Sequence, residues 1–407
     1  MNAATTALAT SVSEGAQSSS LAPRFSERWP FYADDEITAV ADVLRSGRVN
    51  QWTGNEVFDF ERAFSSHLGV KNGIAVANGS VAIELALRAL GIGPGDEVVV
   101  TPRSFVASAS CVRLVGALPV FADVDADTGN LTAETIAAVL TPRTRAVMPV
   151  HLAGWPADMP AILALAARHG LKVIEDCAQA HGAEVDGRPV GSFGDASAYS
   201  FCQDKIISTG GEGGFTSFKS AEAWEWAWSF KDHGKNWSKV NSPQAQVGFR
   251  WLHDEVGTNW RLTGPQAAIG IIQLGKLIEW RALRARNAAI WTDALRNARG
   301  LRVPLPDSRF RHAHYKLYAY VDVPSGASIF RDEILRRAEE AGLRVFSGSC
   351  SEIYREGAFR DLAQPDLPVA KMLGESSIMV EVHPTLDPNL LSRRAEVLAG
   401  IADVVLR

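Results

Sequence analysis

The sequence predicts an α/β fold built on a mostly parallel sheet, with a smaller α+β domain at the C-terminal end. Three observations carry that expectation. Short β-branched runs alternate with helical segments through the first half of the chain. A long helical segment, Gly264 to Gly300, then becomes charged and amphipathic in its second half, which suits a connection between domains. Beyond it the texture changes to strands and helices intermixed. The chain of 407 residues also exceeds the size at which one core stops growing, about 250–300 residues, so a large and a small domain are the natural division. The boundaries fall at about 1–24 for a disordered tail, about 25–285 for the large domain and about 286–407 for the small one.

In order along the chain, "DDEITAVADVLRSG" has acidic residues in its first turn and Gly47 at its end, the marks of a helix start and stop. "GIAVANGS" gives a short strand, followed at once by "VAIELALRALG", a helix apolar on all sides and therefore buried. "DEVVVTP", "LPVFADVD", "RAVMPVHLAG" and "LKVIEDCAQAHG" are further strands, separated by helical stretches such as "MPAILALAARHG". "GIGPGD" follows a helix and precedes a strand, the reverse of a dinucleotide fingerprint, so it reads as a helix end and a turn. The tryptophan-rich "WEWAWSFKDHGKNW" and "FRWLHDEVGTNW" read as core or subunit-interface aromatics, with sugar stacking as the alternative. The C-terminal part contributes "HYKLYAYVDV", "RDEILRRAEEAG", "LRVFSGS" and "RRAEVLAGIADVV".

Composition narrows the function classes. A net charge of −5, from 41 basic and 46 acidic residues, leaves no basic excess for a nucleic-acid backbone. Cys111, Cys177, Cys202 and Cys350 lack CxxC spacing, so neither a metal cage nor a disulfide framework is expected, and a reducing cytoplasm fits. The opening twenty residues show no basic and apolar targeting pattern, and no apolar run reaches the roughly 18 residues of a membrane span.

Ligands of open parallel sheets bind outside the carboxyl ends of the strands, and three such ends are polar here. Asn78, Gly79 and Ser80 open a buried helix, where free backbone N–H groups hold either a phosphate or nothing more than an N-cap. Asp176 ends a strand with Gln179 three residues on and His181 after that. A buried carboxylate needs a cation, so Asp176 meets an arginine or a positively charged ligand nitrogen; His181 is a weak substrate candidate or a hydrogen-bonded loop residue. In "SFCQDKIISTGGEGG", Ser200 and Lys205 flank a turn, with a glycine cluster behind them. Lys205 is either a surface lysine beside that turn or, in a desolvated pocket, an amine able to attack an aldehyde. One molecule asks for a phosphate site, a carboxylate for a ring nitrogen, an amine for an aldehyde and an aromatic face together: pyridoxal 5'-phosphate.

From Trp29 to Leu406 the chain resembles the sugar aminotransferases of the DegT/DnrJ/EryC1/StrS family. "NGSVAIELALRALGIGPGDEVVVTPRSFVASA", "GALPVFADVD", "EDCAQAHGAEVDGRPVGSFGDASAYSF", "DKIISTGGEGG" and "GTNWRLTGPQAAIGIIQL" carry the resemblance. It implies the aspartate aminotransferase fold (fold type I), with a seven-stranded type of sheet between helices. It also implies a covalent bond between Lys205 and the cofactor, with Asp176 on the pyridine nitrogen and Gln179 near the phenolic oxygen. Gly79, Ser80 and Ser200 would hold the phosphate, Phe105 would stack on the ring, and Asn259 would reach the neighbouring subunit's phosphate in a homodimer. The implied reaction moves an amino group from an amino acid, glutamate above all, to a nucleotide-linked keto-sugar. A cyclitol ketone is the alternative acceptor, and a cofactor-binding regulator without turnover is the alternative class. A dehydratase of the same family would carry histidine where Lys205 stands. Two departures mark the substrate side and the glycine loop: Lys316 stands where a histidine is common, and the glycine loop is one residue longer than usual.

Overall fold

The computed structural model describes residues 25–243 and 248–407; the expected N-terminal tail lies outside the described residues. In chain order the first strands are β1 (Asn72–Val76), β2 (Glu97–Val100), β3 (Leu118–Phe121), β4 (Thr144–Met148) and β5 (Lys172–Asp176). Next come the two-residue β6 (Glu184–Val185) and β7 (Arg188–Pro189), then β8 (Ala196–Ser200) and β9 (Gly214–Phe218). The C-terminal part adds β10 (Leu301–Arg302), β11 (Phe310–Arg311), β12 (Lys316–Val321), β13 (Val345–Phe346) and β14 (Ser377–Glu381).

Seven strands form the central sheet in the order β1-β9-β8-β5-β4-β2-β3. β9 runs antiparallel to both neighbours, and the other pairings are parallel, so six strands deliver their carboxyl ends to one edge. Their run of valine, isoleucine and alanine follows from burial on both faces, since helices cover a parallel sheet on either side. Val98, Val99, Val100, Ala146, Ile174 and Ala198 are all buried. The architecture is thus the expected one, a mainly parallel sheet between helices with smaller antiparallel sheets.

A second, four-stranded antiparallel sheet has the order β10-β12-β14-β13, and β11, β6 and β7 make a small third one. The helix Gly264–Leu295 runs between two hydrophobic cores: Ala267 and Leu277 are buried in the first, Trp291 and Leu295 in the second. Between the helix Gly79–Ala89 and β2, Gly91 and Gly95 take left-handed φ of 74° and 92°, which makes "GIGPGD" a turn. In the tryptophan-rich stretch Trp228 and Trp237 meet edge to face at 4.6 Å, and Trp228 is buried, so these rings are core. Among the described residues no helix is long and apolar enough to cross a membrane.

Candidate active site

The register of the central sheet brings the site together. Gly214, the first residue of β9, pairs with Val76 on one side and Ser200 on the other, so the ends of β1 and β8 flank it. The chain leaving β1 turns at Asn78 into the helix Gly79–Ala89. Asn78 caps that helix, its Oδ1 accepting from Val81 N at 3.0 Å and its carbonyl from Ala82 N at 3.2 Å. Of the four N–H groups a helix start leaves unpaired, those of Gly79 and Ser80 are left to face an anion. Gly79 is what allows the close fit, because a Cβ there would stand 2.6 Å from Ser200 Cβ.

Asp176 ends β5 and is only 3% exposed. Ser108 Oγ donates to its Oδ2 at 2.8 Å, and Ala178 N donates to its Oδ1 at 3.1 Å. Burial raises its carboxyl above the ordinary range, and the Ser108 and Ala178 hydrogen bonds with the more distant charge of Lys205 offset only part of that. The site therefore favours a cation placed against Asp176. Gln179 accepts from Ala153 N at 2.7 Å through Oε1, which fixes the side chain and leaves its amide N–H groups free for a ligand. That bond also holds Ala153 in its left-handed conformation, φ 56°.

Lys205 lies in the turn after β8. Trp29 Nε1 donates to its carbonyl at 2.9 Å, and its side chain is 14% exposed. The Nζ stands 3.5 Å from Asp204 Oδ1 and 3.4 Å from Tyr315 Oη. Phe105 opens its phenyl ring to the site at 67% exposure. Two cavities of about 540 and 560 Å³ meet here, sharing Ser104, Phe105, Gln179, Asp204 and Lys205. The first is floored by Asp176, Gly79, Ser80 and Ser200. The second is walled by the C-terminal sheet, where Lys316 and Glu381 sit opposite each other in register and 3.5 Å apart, with Arg344 Nε 3.3 Å from the same carboxylate.

The structure thus brings Gly79, Ser80, Phe105, Asp176, Gln179, Ser200 and Lys205 to one cavity wall. It places His181 and Asn259 elsewhere. His181 is 1% exposed within an aromatic cluster, 5.3 Å from the Tyr199 ring and 5.5 Å from the Phe201 ring. Burial, with the charges of Lys205 and Arg284, pushes its imidazole down to about 3. Asn259 is exposed, on a segment fixed beside the end of β1 by Ala77 N donating to Trp260 O at 2.8 Å.

Several site residues carry no signal in the sequence pattern. Ser108, Asp204, Tyr315, Arg344 and Glu381 acquire their places from turns and from the second sheet, which also carries Lys316, the residue marked in the sequence on the substrate side. Behind the site, buried Glu175 accepts from Gly191, Phe193 and Gly194 N–H groups at 2.7–2.8 Å and meets His151 Nε2 at 3.2 Å. His151 Nδ1 accepts from Ala157 N at 3.0 Å, so its proton is on Nε2 and points at the carboxylate. Cys177 lies beside them and donates weakly to Glu175 O at 3.8 Å. These polar atoms are already engaged with protein partners, and the cluster acts as a brace for the loop between β7 and β8.

The DegT/DnrJ/EryC1/StrS aminotransferase family model matches residues 31–398. The chain is 34% identical to the GDP-perosamine synthase of Caulobacter vibrioides, over 94% of this chain and 99% of that protein. It is 37% identical to a UDP-N-acetyl-3-dehydro-alpha-D-glucosamine 3-aminotransferase of Acidithiobacillus ferrooxidans, over 92% of this chain and 94% of the relative. A solved aminotransferase from Psychrobacter cryohalolentis superposes with a TM-score of 0.91 at 47% identity, covering 93% of this chain and 99% of that one.

Proposed function

The chain belongs to the DegT/DnrJ/EryC1/StrS aminotransferase family, which depends on pyridoxal phosphate, and from that premise we propose that it aminates the ketone of a nucleotide-linked sugar at the expense of an amino acid, glutamate in this reading. The observation that carries the proposal is the position of Lys205, whose side chain borders both cavities at once. One cavity suits a phosphorylated aromatic cation, the other an anionic substrate. The residues fit the cofactor on their own terms: a buried carboxylate that lacks a cation, a helix start with two free N–H groups, and an exposed ring beside them.

When bound, pyridoxal phosphate supplies an aldehyde that takes up the amino group and a ring that stores the electrons left when a Cα–H bond breaks. The chain does the rest. Asp176 keeps a proton on the ring nitrogen through a charge-assisted hydrogen bond in a water-poor site. The Gly79 and Ser80 N–H groups and the Ser200 hydroxyl bind the phosphate. Phe105 covers one ring face and excludes water from it. Gln179 offers its amide N–H groups to the phenolic oxygen. Lys205, with its amine free, would take and return the proton at Cα of the amino donor. Lys316 and Arg344 set positive charge on the second wall, which supports a substrate bearing phosphate.

The active unit is a homodimer in this reading. Asn259 lies exposed outside its own chain's cavity, and Phe249, Trp251 and Val256, exposed nearby in sequence, supply apolar surface for a partner. The four free cysteines support a cytoplasmic location. The test is to incubate the pyridoxamine-loaded protein with a panel of nucleotide keto-sugars and cyclitol ketones and to follow nitrogen gain by mass spectrometry. Gain on a nucleotide sugar is expected. Gain on a cyclitol alone, or on no member of the panel, contradicts the proposal.

A further inference from the structure

The turn that carries Lys205 holds a second charged residue that the proposed reaction leaves without a role. Asp204 is half-exposed, and its Oδ1 is 3.5 Å from Lys205 Nζ. Its Oδ2 accepts a hydrogen bond from the Tyr315 hydroxyl. With its hydrogen directed at that carboxylate, the Tyr315 oxygen faces Lys205 Nζ at 3.4 Å as an acceptor. The three groups close a ring in which ammonium donates to phenol, phenol donates to carboxylate, and carboxylate attracts ammonium. Each contact polarises the next.

The backbone around this ring is fixed by hydrogen bonds. Trp29 fixes the Lys205 carbonyl, and Gln203 N donates to Gly211 O at 3.1 Å. Tyr315 is held by its N–H donating to Ala153 O at 2.9 Å and by Arg284 Nη1 donating to its carbonyl at 3.3 Å. The other charges around Asp204 are cationic, Lys316 and Arg284; Glu381 lies beyond, between Lys316 and Arg344. Burial would raise the Asp204 carboxyl, but the charge of Lys205, the Tyr315 hydrogen bond and the charge of Lys316 outweigh it and hold the group below the usual carboxylate range. Burial first, then Asp204, pushes the Tyr315 phenol up, so it keeps the proton that the ring of contacts requires. Tyr315 immediately precedes β12 of the second sheet, so this contact ties that sheet to the turn of Lys205.

We propose that Asp204 and Tyr315 are positioning residues that form a docking site for the free amine of Lys205, holding it at the junction of the two cavities whenever it is not covalently engaged. The inference rests on the reading of Lys205 as the reactive amine. No covalent bond is made or broken in the docking.

The test is competitive labelling of the full chain, freed of cofactor, with trace acetic anhydride. Peptide mapping gives the reactivity of Lys205 relative to exposed Lys71. Asp204→Asn is expected to raise relative labelling of Lys205 at neutral pH by about twofold to fivefold, what an ion pair with a half-exposed carboxylate contributes. Tyr315→Phe should raise it by a smaller factor, and Asp204→Glu should return it toward the unsubstituted protein. At strongly alkaline pH all variants should label alike, because no ammonium remains to be held. Unchanged labelling in Asp204→Asn, or a gain that persists at every pH and so reports general loosening, overturns the proposal. If Asp204→Asn does not fold, Tyr315→Phe decides by the same criterion. Borohydride trapping on the same proteins before the cofactor is removed separates the two claims: a labelling shift without a Lys205 adduct keeps the docking site and removes the cofactor reading, and an adduct with no shift does the reverse.

Discussion

Asp176 shows how one side chain sets opposite demands on stability and on activity. Its carboxyl is buried, short of a cation, and displaced upward by desolvation. Asp176→Asn is therefore expected to leave the cofactor-free protein as stable as before or more so, in a thermal melt. The same substitution should lower kcat by about tenfold to a hundredfold while much of the cofactor stays bound, the cost of one charge-assisted hydrogen bond to the ring nitrogen. A loss of stability with undiminished kcat would contradict both halves. Asp176 and Lys205 were legible because Asp176 closes an apolar run and Lys205 follows the strand-like "ASAYSF" by four residues, and such strand ends line the edge of a parallel sheet. His181 was not legible in the same way. Its spacing from Asp176 allows an approach to the cavity, yet the backbone after β5 carries its ring in among Tyr199 and Phe201, and no pattern of residue types announces that turn. Asp204 sat in plain view beside Lys205, but its meaning depends on Tyr315, which lies 111 residues away.

At the scale of elements, alternation of strand and helix was readable because helices on both faces force each strand to be apolar throughout. The order of the strands was not, nor was the reversal of β9, which is decided by how the turn from Phe201 to Gly213 folds back and not by any property of the strand itself. The brace behind the site was hidden for the same reason: Glu175 reads as one more residue of β5, and only the folded loop shows three backbone donors and His151 converging on it. Glu175→Gln keeps the shape but replaces an acceptor-only carboxylate with an amide that must turn a donor toward N–H groups. Urea unfolding should show a loss of about 3 kcal/mol or more, as for a broken buried charged network. A change under about 1 kcal/mol would mean the brace is not needed.

For the molecule as a whole, the buried histidines predict how stability varies with pH. Burial, as the largest cause, lowers His181 and His383 to about 3 and His314 to about 4, from an ordinary value of 6.5. In that window the unfolded chain binds protons that the folded one refuses. Stability is thus complete above about pH 6.5 and declines as pH falls toward 4, by up to about 1.4 kcal/mol per pH unit for each group. Asp176, raised by burial, opposes this trend as a single group. Urea midpoints measured across the range should fall steeply on the acid side, and His181→Leu should flatten the slope by one proton. A midpoint that is level from pH 6.5 to 4 would contradict the assignment. Composition and periodicity anticipated a parallel sheet followed by mixed structure, but the substrate wall arises where the second sheet faces the first, and contacts between distant parts of a chain leave no local trace in its sequence.

The central claim is that the amine of Lys205 bonds to the cofactor. Borohydride reduction of the purified protein, followed by proteolysis and mass spectrometry, tests it most directly. The account predicts a reduced pyridoxyl group on Nζ of Lys205 and on no other side chain. A protein that traps no adduct, or traps it on a different residue, would contradict it.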